Sequence, residues 1–151
     1  MKKIILTTVL AALLFNCKAP EKNEYNKNEI IFVVEMESND SKSDNDIAEF
    51  SKYYTEAIDN NEPNSLGWGF FKSDDKFILI ERYLNGAAMM EHVNNISEGG
   101  VLETHFGKFM EHFTINKIDV YGTASDELKE YVKPFGLPFY FHPDLAKFSR
   151  N

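Results

Sequence analysis

Glu81, Tyr83 and His92 are the residues whose types and spacing could do chemistry. They stand within the stretch "ERYLNGAAMMEHV", which joins a strand-like run to a helix-like one. Glu81 and Tyr83 are two apart on the expected strand, so they share a face with Phe77 and Leu79. Under a layer of helices, a carboxylate on that face loses water and its pKa rises toward the range of a general base, or it binds a phenol. The alternative is a structural pairing of Glu81 with a lysine or with backbone at the sheet end. His92 follows Ala88 and Met89 on the inward stripe of the next helix, where an imidazole could hold a substrate hydroxyl, take its proton, or sit as a satisfied core histidine. Arg82 falls on the opposite strand face with Ile78 and Ile80, a place suited to an ion pair across a subunit interface.

Around these groups the chain is rich in rings. Trp68, Phe106 and Phe109 are the aromatics most apt to hold a flat apolar ligand, and His105 flanks the same stripe as a further lining candidate. His105 and His112 are seven residues apart, about 10 Å along a helix, so one metal cannot bind both. No i, i+4 pair of His or Cys occurs elsewhere, and no metal site is expected. There is no glycine-rich phosphate loop and no defensible Ser/His/Asp order, which argues against nucleotide cofactors and nucleophilic hydrolysis.

The elements that must position these residues follow from periodicity. "EIIFVVEME" (29–37) reads as a first strand, apolar on both alternating faces and so covered on both sides. Ile47, Phe50, Tyr54, Ala57 and Ile58 mark a first helix, with Asp44 or Asp46 as its N-cap. "LGWGFFKS" and "KFILIERY" form a hairpin around "DD", and Asn85 caps a second helix that ends at Gly99-Gly100. A further helix fits "VLETHFGKFMEHF", "INKIDVYG" is the last main strand, and "SDELKEYVKPFG" is a short helix capped by Ser125. "LPFYFHP" supplies a terminal edge strand. Strand, helix, strand, strand, helix, strand is the order of an α+β, ferredoxin-like split βαβ sandwich. Helices cover one face of such a sheet; a second copy packed on the other makes a homodimer.

The two ends carry other information. Lys2 and Lys3 precede the apolar run Ile4 to Phe15, which has the length of a signal h-region. "LLFNCKAP" is similar to a bacterial lipobox, with Leu14 three residues before Cys17, although Phe15 and Asn16 are bulkier than usual. Cys17 is the single cysteine, which excludes an intramolecular disulfide and suits lipid attachment. Four segments are expected: a signal over 1–16, a polar tether over 17–28, a domain over 29–123, and a C-terminal helix and edge-strand extension over 124–151. Loss of the signal takes the formal charge from -8 to -10 by removing two lysines, a surface that repels phosphate backbones, so no nucleic acid is expected as partner.

With this order in place, "EPNSLGWGFF", "FILIERYLNGAAMMEHV" and "VYGTASDELKEYVKPFG" resemble the antibiotic biosynthesis monooxygenase (ABM) family of dimeric α/β barrels over roughly residues 29–136. That family includes cofactor-free monooxygenases of hydroquinones and polyketide aromatics, haem-degrading enzymes, and proteins of unassigned activity. Haem-degrading members use an Asn on the first strand, a Trp near the end of the third and a His on the second helix. His92 fits the last, but Tyr83 lies nearest the Trp position and Ile30 to Glu37 holds no Asn. The resemblance therefore implies a reaction without a cofactor. Two functions stand beside each other. One is a lipid-anchored enzyme of the bacterial cell envelope, in which Glu81 or His92 deprotonates a small quinol while Tyr83 and Trp68 hold its ring. The other is a dimeric, non-catalytic binding module for an apolar small molecule.

Overall fold

In a computed structural model that describes residues 25–150, β1 (Ile30–Ser38) alternates strictly between buried and half-buried side chains as far as Met36. A period of two is what a strand with one covered face requires. Ile30, Phe32, Val34 and Met36 point into the core, and Ile31, Val33 and Glu35 point away. β2 (Ser65–Ser73) and β3 (Lys76–Tyr83) form the hairpin, turning at Asp74-Asp75, where Asp74 takes the left-handed φ of 55° that short acidic side chains tolerate. β4 (Phe113–Tyr121) pairs antiparallel with β1, and β5 (Phe139–His142) adds a parallel edge to β4. The sheet order is β2-β3-β1-β4-β5, a ferredoxin-like sheet with one extra strand, and the class is α+β.

Among the described residues four α-helices accompany the sheet: α1 (Asp44–Asn61), α2 (Gly86–Ile96), α3 (Glu103–His112) and α4 (Asp126–Val132). The N-cap of α1 is Ser43, not Asp44 or Asp46. Its hydroxyl accepts from the Asp46 N–H, and the Asp46 carboxylate accepts from the Ser43 N–H at 2.8 Å, a closed capping box in which Asp46 is the third helical residue. Asn85 caps α2 and Ser125 caps α4, each accepting from a backbone N–H three residues on. α2 ends at Ser97, and Gly100 leaves no room for a side chain, since a Cβ there would lie 2.2 Å from the Asn95 carbonyl oxygen.

The helices bury Ile47, Phe50, Tyr54, Met89, Val93 and Phe109 against the inner sheet face. Segment 124–150 belongs to the same core through Leu128 and Val132, with Phe135, Leu137 and Phe139 packed on it. The outer sheet face is half-exposed in the single chain and carries Ile31, Val33, Ile78 and Ile80. Arg82 is there as expected, but its partner belongs to the same chain. Arg82 lies opposite Ile31, which brings Glu29 within reach on the same face, and Arg82 Nε donates to Glu29 Oε1 at 2.7 Å. The guanidinium also donates to Ser149 Oγ at 3.3 Å, so the last residues are tied over the start of the domain. Ile4–Phe15 and Cys17 lie outside the described residues. Among those described, no helix is long and apolar enough to cross a membrane.

Candidate functional site

The inner face of β3 presents Glu81 and Tyr83 two residues apart, and both side chains are buried. The Tyr83 O–H donates to Glu81 Oε2 at 2.5 Å. Trp68, paired across the hairpin with Glu81, stands beside them, its ring centroid 6.1 Å from that of Tyr83. From α2 the His92 ring comes down between the two, with centroids 5.1 Å from Trp68 and 5.6 Å from Tyr83. A strand, a hairpin partner and a capped helix thus bring four side chains of the sequence-expected site into contact.

Glu81, His92, Trp68 and Tyr54 line a cavity of about 60 Å³ whose other walls are apolar, Phe106 and Phe109 among them. Tyr83 is not part of its wall but lies behind Glu81. Roughly 10–15 Å³ suffices for one water and about 150 Å³ holds a benzene ring, so this space takes a few waters, and a ring enters only if side chains move. The half-buried Phe106, Phe135, Leu137 and Phe139 are the walls able to do so. His105 lies elsewhere. Its ring stacks on Tyr53 at 5.2 Å between α3 and α1, and its Nδ1 is buried with no hydrogen-bond partner among the described residues. His112 likewise stacks on Phe50, at 4.1 Å. Both histidines serve helix packing.

Glu62 and the C-terminal wall were missed. Glu62 is the C-cap of α1, and it is as buried as Glu81 and His92, at 5 % exposure against 6 % for each. Its two carboxylate oxygens lie 2.9 and 3.1 Å from His92 Nδ1, and it also accepts from Asn95 Nδ2 at 3.1 Å and Ser65 Oγ at 3.0 Å. One signal was available: Glu62 falls four residues after Ile58, on the continuation of the apolar stripe of α1.

Burial acts on these groups in opposite senses. For Glu81, loss of water dominates and pushes the carboxyl up to about 6, against the pull of the His92 charge and the Tyr83 hydrogen bond. For Glu62, burial also pushes upward, but hydrogen bonds and charge from His92, with Asn95 and Ser65, outweigh it and hold the carboxyl below its usual range. For His92, burial would lower the imidazole, yet the Glu62 hydrogen bond and the charges of Glu81 and Glu62 raise it. Tyr83 and Tyr54 are pushed well above the ordinary phenol range, first by burial and then by the neighbouring carboxylates, and stay neutral. Trp68 Nε1 is a buried donor with no protein acceptor among the described residues. The site therefore offers a base near neutral pH, an imidazole and a free N–H in an apolar surround. Among the described residues, no group of three His, Cys, Asp or Glu could hold a metal ion.

No protein-family model matches the chain, and no curated protein matches it in sequence. Solved structures do match in fold. MupZ from Pseudomonas fluorescens superposes with a TM-score of 0.65 at 15 % identity, over 80 % of this chain and 90 % of that one. A conserved protein from Methanosarcina mazei Go1 gives 0.51 at 13 %, over 64 % and 93 %. A provisionally assigned antibiotic biosynthesis monooxygenase from Bacteriodes thetaiotaomicron VPI-5482 gives 0.46 at 15 %, over 63 % and 87 % of the two chains. At such identities the likeness is one of fold.

Proposed function

We propose that the chain is a cofactor-independent monooxygenase of ABM type that oxidises a small quinol or related aromatic. It works as a homodimer and is held in the bacterial cell envelope by a lipid on Cys17. The observation that carries this reading is the convergence of Glu81, His92 and Trp68 on one apolar cavity, with Glu81 ionising at about 6 and so mostly charged at pH 7. Glu81 or His92 removes a hydroxyl proton, and the anion left in an apolar surround passes electrons to dioxygen, the oxidant. One oxygen atom is added to the ring and the other leaves as water, so that a quinol becomes a hydroxyquinone. Trp68 Nε1 offers its free N–H to an oxygen of the substrate. The apolar outer sheet face, with Ile31, Val33, Ile78 and Ile80, supports the dimer, and the lone Cys17 after an h-region supports the anchor.

A second function has its own support. The cavity is smaller than a ring, and Tyr83 already occupies one Glu81 oxygen, as suits a non-catalytic module that opens to bind an apolar molecule. Oxygen uptake with a panel of hydroquinones separates the two. Uptake that falls by roughly 10² or more in Glu81→Gln or His92→Ala, with the fold intact, supports the enzyme. No uptake with any quinol, together with thermal stabilisation by one of them, rejects it in favour of the binding module.

A further inference from the structure

His92 has two ring nitrogens with unlike surroundings. Nδ1 faces Glu62, and among the described residues no protein group hydrogen-bonds Nε2, while the ring lines the cavity. Glu62 is in turn fixed from three directions. Its backbone N–H closes the last turn of α1 on the Ile58 carbonyl, and its carboxylate accepts from Ser65 and Asn95 besides His92. A buried carboxylate with that many donors has little freedom to turn away. Neutral imidazole carries one proton, and the nitrogen that keeps it is the one with the better acceptor. Here that nitrogen is Nδ1.

We infer that Glu62 is a positioning residue: it holds His92 as the Nδ1–H tautomer and leaves Nε2 as the free, cavity-facing acceptor that takes the substrate's proton. The choice of His92 over Glu81 rests on the monooxygenase reading; the tautomer does not. When Nε2 takes the proton, the Nδ1 proton stays where it is, and the imidazolium formed is stabilised by the carboxylate already bound to it. Glu81 has one oxygen engaged by Tyr83 and contributes charge rather than the acceptor atom. The titratable groups that face the imidazole are Glu62 at the end of α1 and Glu81 and Tyr83 on β3, while Tyr54 of α1 lines the same cavity.

Nitrogen-15 NMR of the His92 ring in the chain from Cys17 to Asn151 reads the tautomer without any substrate. Above the His92 titration, the wild type should show the proton on Nδ1. Glu62→Gln keeps an acceptor oxygen but no charge, so it should retain the tautomer while His92 titrates at lower pH. Glu62→Leu has no acceptor, so it should populate the Nε2–H form. Where quinol oxidation is measurable, it should lower kcat on the order of 10²-fold with KM little changed. An Nε2–H tautomer in wild type, or a His92 titration unmoved in Glu62→Gln, overturns the assignment, and the second result stands even if Glu62→Leu does not fold. Tautomers as expected, with catalysis lost in Glu81→Gln and kept in His92→Ala, would reject His92 as the base and leave the monooxygenase reading intact.

Discussion

Replacing Glu81 by glutamine should make the protein gain stability relative to wild type as pH rises toward neutral, although a buried residue is being changed. The carboxyl ionises at about 6 in the folded chain against 4.5 for an unperturbed group, a difference of about 1.5 pK units, or about 2 kcal/mol. The folded pKa is the higher one, so the folded state holds the proton more tightly. Stability associated with Glu81 is fully present below about 4.5 and is lost as pH rises through about 6. The glutamine side chain does not titrate and has no such loss, and its amide oxygen can still accept the Tyr83 O–H. The stability of Glu81→Gln minus that of wild type should therefore climb by about 2 kcal/mol between pH 4 and pH 8. The same variant also removes one of the charges that raise His92, so the comparison is cleanest below pH 6.5, where the imidazole is charged in the folded and the unfolded chain alike. Urea denaturation at steps of pH measures this: with an m-value near 2 kcal/mol per molar, the midpoint difference should change by about 1 M. Curves that stay parallel within about 0.5 kcal/mol from pH 4 to 8 would refute the claim that burial governs this carboxyl.

Two expectations concern assembly and placement. The chain from Cys17 onward should scatter light as twice its mass at micromolar concentration, and Ile80→Lys, a charge set into the apolar outer face, should give monomer; a monomeric wild type rejects the sheet-to-sheet dimer. Cys17→Ser should move the protein from the membrane to the soluble fraction, whereas unchanged retention would point to an uncleaved apolar anchor.

Elements were legible where period and punctuation agreed. The alternation of β1 and β3, the stripe of α1 and the caps Asn85 and Ser125 all follow from local sequence, and the strand order follows from them. The N-cap of α1 lies one residue before Asp44 and three before Asp46, because Ser43, Asp44 and Asp46 are all capping types and only the reciprocal bond between Ser43 and Asp46 decides. Glu81 was readable because strand geometry alone places it with Phe77 and Leu79. Glu62 had only its place in line with the apolar stripe of α1 to mark it, since its partner is 30 residues away on another helix and "NEPNS" reads as an exposed turn. His105 went astray for a smaller reason: it is one residue before Phe106, and about 100° of helix rotation takes it from the cavity to Tyr53.

The C-terminal extension changes what the four-strand core can do. In the core alone, β4 would be a sheet edge, and the space between α2, α3 and the inner face would be open beside it. β5 pairs with β4 from Ile118–Phe139 to Tyr121–His142, which seals that edge and sets Phe139 against Phe32 at 6.0 Å. Phe135 and Leu137, just before β5, complete the same wall of the cavity. Closure by side chains on a connecting segment of so few residues narrows the cavity beside Glu81 and His92 to room for a few waters without walling it off behind the sheet. Phe135, Leu137 and Phe139 are half-buried parts of the apolar surround in which burial raises the Glu81 carboxyl, so a ring that entered the cavity by displacing them would change the setting of that carboxyl as well.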